Sequence, residues 1–369
     1  MAENLQCAYN SAALLTELPQ PMPNNDNHRP TIADVADAAG VSRTTVSHAL
    51  NDRGQVDPVT RARVKEVAAS LGYTPNLRAQ RLRTGRANAI ALLSSMPFAV
   101  AGGSSRLGFL MEIAATATEA ALRRGVALVL VPPMDEAKAL LDTLDIDGAV
   151  IIEPVANDPH IARLRKRGVK LVSIGRQPEA GFTLPYIDMH GEVAGALLLD
   201  HLHEQGARRI GLVIGIQSRH SYLDMEQAYR AYCSTQGLTP AIVRADEAGG
   251  EAAGVAACVQ LLDEHPDLDG LCVPVDAFAI GAVQALSEKG LKVPQDVKVV
   301  TRYDGFRARE CKPPLTALNM HLEEVAALAI ELLFEQINGS GAVQRQRIDA
   351  PVATLLVRES SAGLHKKNA

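Results

Sequence analysis

The sequence has no tryptophan, and aromatic residues make up only 4% of its 369 positions. Five cysteines are widely scattered without a CxxC pair, which indicates reduced, mostly buried thiols rather than a disulfide framework or a zinc site. No apolar run approaches the ~18 residues that a membrane helix needs. Residues 1–27 contain no Lys or Arg, which argues against a secretory signal peptide. We therefore expect a cytoplasmic protein that does not contact a membrane.

The motifs of common enzyme classes are missing as well. There is no GxSxG, no HExxH and no Walker loop, and the ten histidines do not cluster with carboxylates at catalytic spacing. We therefore expect no enzyme activity, no catalytic residues, no metal site and no cofactor.

The net charge of −5 is distributed unevenly along the chain. Residues 28–86 hold ten Lys or Arg against five acidic residues, whereas the segments before and after them are acidic overall. A basic segment attached to an acidic body is typical of a protein that contacts nucleic acid with one end. Charge alone is weak evidence, because a charged run is usually a solvated face.

Residues 31–50, TIADVADAAGVSRTTVSHAL, carry the pattern of two short helices. Thr31 followed by Asp34 has the form of a capping box, Gly40 supplies a left-handed end, and Ser42 caps the second helix. The apolar residues of the first helix recur at helical spacing: Ile32, Val35, Ala36 and Ala39. Two short helices joined by a glycine turn indicate a helix-turn-helix, although a generic helical hairpin would show the same spacing.

A third helix is predicted after Asp57-Pro58, which combines a cap with a first-turn proline. Its inward residues are predicted to be Val64, Val67, Ala68 and Leu71, and Gly72 ends it. Three short helices around a very small core are typical of a DNA-reading headpiece.

TIADVADAAGVSRTTVSHALN, followed by RARVKEVAASLGYTPNLRAQRLRTGR, resembles the N-terminal signature of the LacI family (lactose repressor/GalR type) of bacterial transcriptional regulators. Matching phrases extend over roughly residues 30–360. The resemblance implies an α/β protein with a small all-α headpiece and a two-lobe core like that of periplasmic binding proteins. It further implies a homodimeric repressor that binds a palindromic double-stranded DNA operator and responds to a small-molecule effector. Two other functions compete: a solute-binding protein with the same core fold, and a DNA-binding protein without an effector.

The chain after Ala87 alternates continuous apolar runs with amphipathic segments, which predicts parallel sheets flanked by helices. The predicted organisation is a disordered tail over 1–27, a headpiece over 28–74, a hinge helix or linker over 75–86, an effector-binding and dimerisation core over 87–362 and a tail over 363–369. By the resemblance, the N-lobe covers about 87–186 and 319–342, and the C-lobe about 187–318 and 343–362. We also hypothesise that translation starts at Met22.

The second helix places Arg43 and Thr44 where side chains reach base edges, if this helix lies in the major groove. A phosphate contact is the alternative for Arg43, and a positioning role is the alternative for His48. By the resemblance, the hinge folds on DNA, Leu82 enters the minor groove, and Ala79 lets two hinge helices meet. The predicted DNA-binding set is Thr31, Ser42, Arg43, Thr44, Thr45, Ser47, His48, Asn51, Asn76, Arg78, Ala79 and Leu82.

By the resemblance, the effector binds between the lobes and Asp276, in VPVDAFAIG, contacts it; a helix N-cap is the other role open to Asp276. The chain departs from the family at MEQAYR, with Met225 where arginine is usual, and at RYDG, with Arg302 where glycine is expected. Arg176 and Arg302 at strand ends would suit a carboxylate or phosphate, which predicts an acidic or phosphorylated effector rather than a neutral sugar. Pairing of Arg302 with Asp276 or Asp304 is the competing interpretation. The predicted effector set is Ser94, Phe98, Arg176, Tyr186, Met225, Asp276, Phe278 and Arg302.

Overall fold

The computed structural model describes residues 30–52, 54–74, 85–101, 108–133, 137–178, 184–339 and 344–362. The chain divides into two compact units, Met1–Thr84 and Gly85–Ala369. The predicted tails over 1–27 and 363–369, and residues 75–84 of the predicted hinge, lie outside the described residues. Among the described residues, no helix is long and apolar enough to cross a membrane.

The first unit contains three helices in its described part: α1 (Ile32–Ala39), α2 (Arg43–Leu50) and α3 (Pro58–Ser70). Their small core consists of Val35, Ala36, Ala39, Val46, Ala49, Val64 and Ala68. The prediction for Leu71 was wrong, because α3 ends at Ser70 and Leu71 is 38% exposed at the C-cap. Tyr73 packs against the core instead.

Each headpiece helix begins where the sequence predicts, because a side chain satisfies the free backbone N–H groups of its first turn. The Asp34 carboxylate accepts from the Thr31 N–H at 2.7 Å, and Thr31 in turn accepts from the Asp34 N–H, which completes a capping box. Ser42 accepts from Thr45 N at 3.1 Å, and Asp57 from Thr60 N at 2.9 Å. Local sequence therefore fixes where all three helices begin.

In the second unit, the described residues form two six-stranded sheets, one in each lobe. The N-lobe sheet is parallel throughout, with the strand order β11-β5-β4-β3-β1-β2. Its strands are β1 (Ala89–Ser94), β2 (Ala127–Val131), β3 (Gly148–Ile152), β4 (Lys170–Ile174), β5 (Tyr186–Asp188) and β11 (Arg347–Asp349). Strands β1 and β3 are buried along their whole length, as expected of a sheet covered on both faces.

The C-lobe sheet has the strand order β12-β10-β9-β8-β6-β7. Its strands are β6 (Ile210–Gly215), β7 (Ile242–Ala245), β8 (Gly270–Cys272), β9 (Lys298–Tyr303), β10 (Thr316–Asn319) and β12 (Thr354–Leu356). Only the pairing of β12 with β10 is antiparallel among the described pairings of this sheet.

Helices cover the sheets of both lobes. Those that begin in the N-lobe segment are α4 (Phe98–Ala101), α5 (Phe109–Leu122), α6 (Ala137–Thr143) and α7 (Pro159–Lys166). The later helices are α8 (Gly191–Glu204), α9 (His220–Gln236), α10 (Gly250–Glu264, preceded by a 3₁₀ turn Glu247–Gly249), α11 (Asp276–Glu288), α12 (Phe306–Glu310) and α13 (Leu322–Asn338). Helix α13 returns to the N-lobe and packs on α5 and β4.

The chain passes between the lobes three times, and the third passage differs from the prediction. It was placed at residue 343, but β11 still pairs with β5 in the N-lobe sheet over 347–349. The chain enters the C-lobe sheet only at β12, which begins at Thr354. The two earlier passages follow β5 and β10, close to the predicted residues 187 and 318.

Candidate functional site

The first turn of α2 presents polar side chains to the surface of the headpiece. Arg43 and Thr44 are exposed, while Val46 and Ala49 on the other side of the helix are buried. Thr45 is half-buried, and its hydroxyl lies 2.9 Å from that of Ser42. The backbone therefore directs Arg43 and Thr44 away from the core, at the end of the helix that attracts phosphate groups.

Other residues of the predicted DNA-binding set make contacts within the headpiece. His48 packs beneath Gly54, where an added Cβ would lie 2.6 Å from His48 Nδ1 and where φ is +67°. Asn51 donates through Nδ2 to the Ser47 carbonyl at 2.6 Å and so closes the end of α2. These contacts give His48 and Asn51 structural roles beside the predicted contact with DNA. Four members of the set lie outside the described residues: Asn76, Arg78, Ala79 and Leu82.

Two cations of α3 pair with a single acid in the turn that follows α2. Arg61 Nη1 and Lys65 Nζ lie 2.8 and 2.9 Å from Asp52 Oδ1, and their hydrogen bonds lower the pKa of this exposed carboxyl. These residues therefore help to hold the turn before α3. Arg63 on the same helix is exposed.

A partly open cavity with a volume of about 80 Å³ lies between the lobes, at the carboxyl ends of the strands of both sheets. Open parallel sheets bind ligands at this edge. Sixteen of the described residues line the cavity, and eleven of these are apolar. The polar ones are Glu153, Tyr222, Asp276, Arg302 and Tyr303.

Asp276 and Arg302 are the members of the predicted effector set that line this cavity. Arg302 Nη2 lies 3.2 Å from Glu153 Oε1, so its partner is an N-lobe carboxylate rather than Asp276 or Asp304. Asp304 instead lies 2.7 Å from Arg358. The competing interpretation of Arg302 therefore named the wrong partners, because it overlooked Glu153 at the end of β3.

Asp276 is the first residue of α11, and Val275 occupies the N-cap position. One carboxylate oxygen of Asp276 accepts from the Ala277 N–H at 2.8 Å and from Arg307 Nη1 at 3.3 Å. Burial raises the pKa of Asp276, and the Arg307 guanidinium partly opposes that shift. The N-cap role considered for this residue is therefore wrong, although its side chain still bonds the first turn.

The remaining predicted residues do not line the cavity. Ser94 is buried and accepts from the Met96 N–H at 3.1 Å, and Tyr186 is buried in β5. Met225 and Phe278 are fully packed within the C-lobe core, while Phe98 and Arg176 are exposed. Of the predicted effector set, only Asp276, close after β8, and Arg302, near the end of β9, therefore line the cavity.

Sequence reasoning missed Arg219, a buried arginine in the loop between β6 and α9. It is 1% exposed, and its Nε and Nη2 each donate to one oxygen of the buried Glu247 carboxylate at 2.8 Å. Its Nη2 also donates to the Ser95 carbonyl at 2.9 Å, and Nη1 donates to the Glu153 carbonyl. A C-lobe guanidinium thus bonds two strand-end carbonyls of the N-lobe.

Arg307 on α12 makes a second contact of this kind. Its Nη2 and Nη1 donate to the carbonyls of Ala99 and Val100 at 2.6 and 3.1 Å. Asp276, in its own lobe, pairs with it at 3.3 Å. Neither Arg219 nor Arg307 has a local sequence signal beyond being an arginine near a strand end, because its partners come from distant segments.

Two further side-chain hydrogen bonds join the lobes. The Tyr303 hydroxyl donates to Glu112 Oε2 at 2.7 Å, and the Ser221 hydroxyl donates to Glu153 Oε2 at 2.6 Å. Burial and the hydrogen bond to Glu112 raise the pKa of Tyr303, which keeps its hydroxyl protonated. We call the contacts of Arg219, Arg307, Tyr303 and Ser221 the inter-lobe contacts.

The group Asp188, His190 and Asp349 has ligand atoms close enough to hold a metal ion. The Arg347 guanidinium, however, lies 3.1 Å from Asp188 and 2.6 Å from Asp349. The positive charge of Arg347 already neutralises part of the negative charge of these two carboxylates. We therefore assign the group a structural role at the first passage of the chain between the lobes.

A small helix-turn-helix unit and a two-lobe unit with a cavity between its lobes are together the architecture of a DNA-binding regulator whose core binds a ligand. The comparisons with known proteins agree. Residues 31–76 match the family described as bacterial regulatory proteins, lacI family, and residues 199–361 match the periplasmic binding protein-like domain. The chain is 31% identical over 328 residues to the HTH-type transcriptional regulator CelR of Thermobifida fusca, covering 84% of this chain and 93% of the relative. The chain therefore belongs to the LacI family of transcription regulators, which are not enzymes.

Other relatives and solved structures cover most of the chain. The transcriptional repressor PurR of Glaesserella parasuis is 27% identical over 83% of this chain and 90% of its own. The CelR–cellobiose complex shares 29% identity and a TM-score of 0.66 over 90% of this chain and all of that one. The lac repressor dimer bound to operator and the anti-inducer ONPF shares 25% identity and a TM-score of 0.71, over 91% and 100% of the two chains.

Proposed function

We propose that the protein is a homodimeric repressor that binds a palindromic DNA operator through α2. The observation that carries this proposal is the exposed first turn of α2, where Arg43 and Thr44 point away from the core at a capped helix N-terminus. Such a turn contacts base edges when the helix lies in the major groove. A dimer would set two of these helices about one DNA turn apart. The solved lac repressor dimer with its operator supports this arrangement by similarity.

We further propose that a small effector in the inter-lobe cavity alters operator affinity. Both lobes line the cavity, and the inter-lobe contacts surround it, so a ligand there would change the free energy of lobe closure. Coupling between ligand and DNA sites is typically about 1–3 kcal/mol. A relative was solved as a complex with cellobiose, which supports the presence of an effector.

The acidic or phosphorylated effector predicted from the sequence has less support than a neutral one. Arg302 is already paired with Glu153 inside the cavity, and Arg176 is exposed and does not line it. Two arginines can hold an anion through paired hydrogen bonds only if both guanidinium groups lie in the cavity and are free to donate. We therefore propose an effector without a net negative charge.

The test of DNA recognition is selection from a random duplex library with the purified full-length chain, followed by footprinting. We expect one palindromic site to be enriched and the bound protein to be dimeric. Arg43→Ala should weaken binding to that site by about 1–3 kcal/mol, the usual contribution of a base contact, and should relax the preference at one position of each half-site.

The matched control is Arg63→Ala, which removes another exposed headpiece arginine, on α3. It should weaken binding to all sequences about equally. The absence of any enriched site would refute the proposal, and equal losses on all sequences for Arg43→Ala would refute its role in base recognition.

A further inference from the structure

The inter-lobe cavity is built mainly from apolar side chains. Its walls include Met96, Phe109, Ile113 and Ile152 from the N-lobe, and Met189 and Met320 from the passages between lobes. Phe109 is the only phenylalanine or tryptophan among the described lining residues, and Tyr303 meets its ring edge-on at 6.0 Å rather than facing a flat ligand. Such a surface gains free energy by covering an apolar ligand rather than a strongly hydrated one.

Most polar groups of the cavity already have partners within the protein. The Glu153 carboxylate accepts from Ser221 and Arg302, Tyr303 donates to Glu112, and Asp276 accepts from Arg307. A ligand rich in hydroxyl groups would need to break these bonds or leave its own groups buried without partners, and either would weaken its binding.

Two hydrogen-bond donors are exceptions to this pairing. The hydroxyl of Tyr222, a residue only 3% exposed, and the Nε–H of Arg302 are both buried without a hydrogen-bond partner among the described residues. Both residues line the cavity, where Arg302 Nη2 donates to the Glu153 carboxylate. Burial, followed by the charge of Glu247, raises the pKa of Tyr222. Buried donors are normally paired, so this pair indicates the place of an acceptor atom on a ligand.

Each charged side chain that lines the cavity is paired with a side chain of opposite charge. Glu153 is paired with Arg302, and Asp276 is paired with Arg307. No described arginine or lysine of the lining is therefore left to neutralise an anionic ligand, and no carboxylate of the lining is left to neutralise a cationic one. An ionic ligand would lose its hydration without gaining a counter-charge.

We infer that the effector is a compact, neutral molecule with a mainly apolar body and at least one hydrogen-bond acceptor, such as a carbonyl or ether oxygen. The acceptor would take the hydrogen bonds of Tyr222 and Arg302, while the apolar body contacts the methionine and isoleucine side chains. This inference rests on the proposed function, because it names the ligand class of the same cavity.

The test is a binding screen on the purified full-length chain by thermal shift and calorimetry. The panel has four groups of similar molecular size: neutral aromatic and aliphatic amides, lactones and methyl esters; the carboxylates matched to them; neutral sugars including cellobiose; and sugar phosphates. Binding confined to the first group is the expected result. Binding by a sugar, a carboxylate or a sugar phosphate but by no member of the first group would overturn the inference, and so would a panel without any binder.

The variant Tyr222→Phe tests the position of the acceptor. It should weaken the best neutral probe about three- to tenfold, since a net hydrogen bond contributes about 0.5–1.5 kcal/mol. It should leave the unliganded protein at least as stable as the parent, because the lost hydroxyl has no partner there. Tyr232→Phe on the same helix removes a hydroxyl that bonds His203, and should leave probe affinity unchanged.

Arg302→Lys is the second test variant, because lysine keeps the positive charge beside Glu153 but lacks the Nε–H group that we assign to the ligand. We expect a loss of probe affinity of similar size. Unchanged affinity in both Tyr222→Phe and Arg302→Lys would overturn the inference. Failure of operator selection, with neutral probes still binding, would instead refute the proposed regulatory function and leave the ligand class standing.

Discussion

Arg219 and Glu247 form the most deeply buried ion pair among the described residues, with side chains 1% and 0% exposed. Removing two charges from water is costly, and only good geometry with additional hydrogen bonds offsets that cost. Both conditions hold here, since two nitrogens of the guanidinium bond the carboxylate and the remaining donors bond the carbonyls of Ser95 and Glu153. The pair therefore fixes the position of the loop before α9 rather than adding much net stability.

Arg219→Met should destabilise the protein by about 3–5 kcal/mol, because it leaves the Glu247 carboxylate buried without a counter-charge. The double variant Arg219→Met/Glu247→Leu should recover most of that loss. The measurement is urea unfolding followed by circular dichroism. As a control, Arg230→Met removes an arginine that is 57% exposed, and its partner Glu226 keeps Arg244 as a second cation, so the free energy of unfolding should change by less than about 1 kcal/mol. A double variant as unstable as the single one would contradict this account.

His220 gives the protein a pH-dependent contact at the start of α9. Its Nδ1 lies 2.8 Å from Asp224 Oδ1, and this hydrogen bond raises the pKa of His220, while burial and nearby Arg176 oppose the rise. A raised pKa means that the pair stabilises the fold fully below the unfolded value of about 6.5, and that this contribution disappears as pH rises through the folded pKa. Urea unfolding of the parent and of Asp224→Asn between pH 5.5 and 8.5 should show a stability difference that shrinks with rising pH. A constant difference would refute the pairing.

Among the secondary-structure elements, α10 and α11 pack most closely, because glycines lie at their contact. A Cβ added at Gly254 would lie 2.5 Å from Phe278 Cα, and one added at Gly281 would lie 2.6 Å from Val255 N. The obstacles are backbone atoms, which cannot move away as the end of a flexible side chain can. Asp276 begins α11, so this packing also sets the position of a cavity residue.

Gly281→Ala should destabilise the protein by about 1–3 kcal/mol or more, although alanine favours helices, because the two helices must separate. Ser287→Ala is the matched control, since it introduces alanine at an exposed position of the same helix. It should leave the free energy of unfolding unchanged or raise it slightly. Thermal and urea unfolding measure both. A more stable Gly281→Ala protein would show that the helices can separate without cost.

The elements also show what the sequence alone could predict. Caps, glycine stops and apolar periodicity are local, so the helices of the headpiece and the buried, apolar strands of both lobes were predictable from neighbouring residues. Strand β11 was missed because it has three residues, of which only Ile348 is half-buried while Arg347 and Asp349 are exposed. An edge strand this short leaves no apolar run, and its absence from the prediction moved the third passage between lobes to residue 343.

The cavity was predicted only in part, for the same reason: local signals were visible in the sequence and distant contacts were not. Asp276 and Arg302 stand at strand ends, where a parallel sheet places ligand residues, so their position was predictable. The partners of Arg302, Arg219 and Arg307 lie more than a hundred residues away in several cases, as with Glu153 and Arg302 or Val100 and Arg307. No spacing within one segment encodes such pairs, and they become visible only when both lobes are in place.

For the molecule as a whole, the inter-lobe contacts decide how firmly the cavity is closed. Arg307→Ala removes the hydrogen bonds to the carbonyls of Ala99 and Val100 and leaves the buried Asp276 carboxylate without its cation. Of these contacts, the hydrogen bonds to Ala99 and Val100 cross between the lobes, and a hydrogen bond from a charged group contributes about 1.5–3 kcal/mol, so a more open arrangement of the lobes should gain population. The pKa of Asp276 should rise further, because burial already raises it and the charge of Arg307 is the largest effect that opposes the rise.

Small-angle scattering of the core unit, residues 85–369, measures this opening as a larger radius of gyration for Arg307→Ala than for the parent. Arg309→Ala on the same helix is the matched control, because Arg309 is 53% exposed and its nearest described acid, Asp304, lies 3.8 Å away in the same lobe. The radius of gyration should be unchanged in that variant. If Arg307→Ala scatters as the parent does at neutral pH, the lobes are held together by the apolar cavity walls and not by the arginine. The effector would then act by filling the cavity rather than by strengthening or breaking this contact.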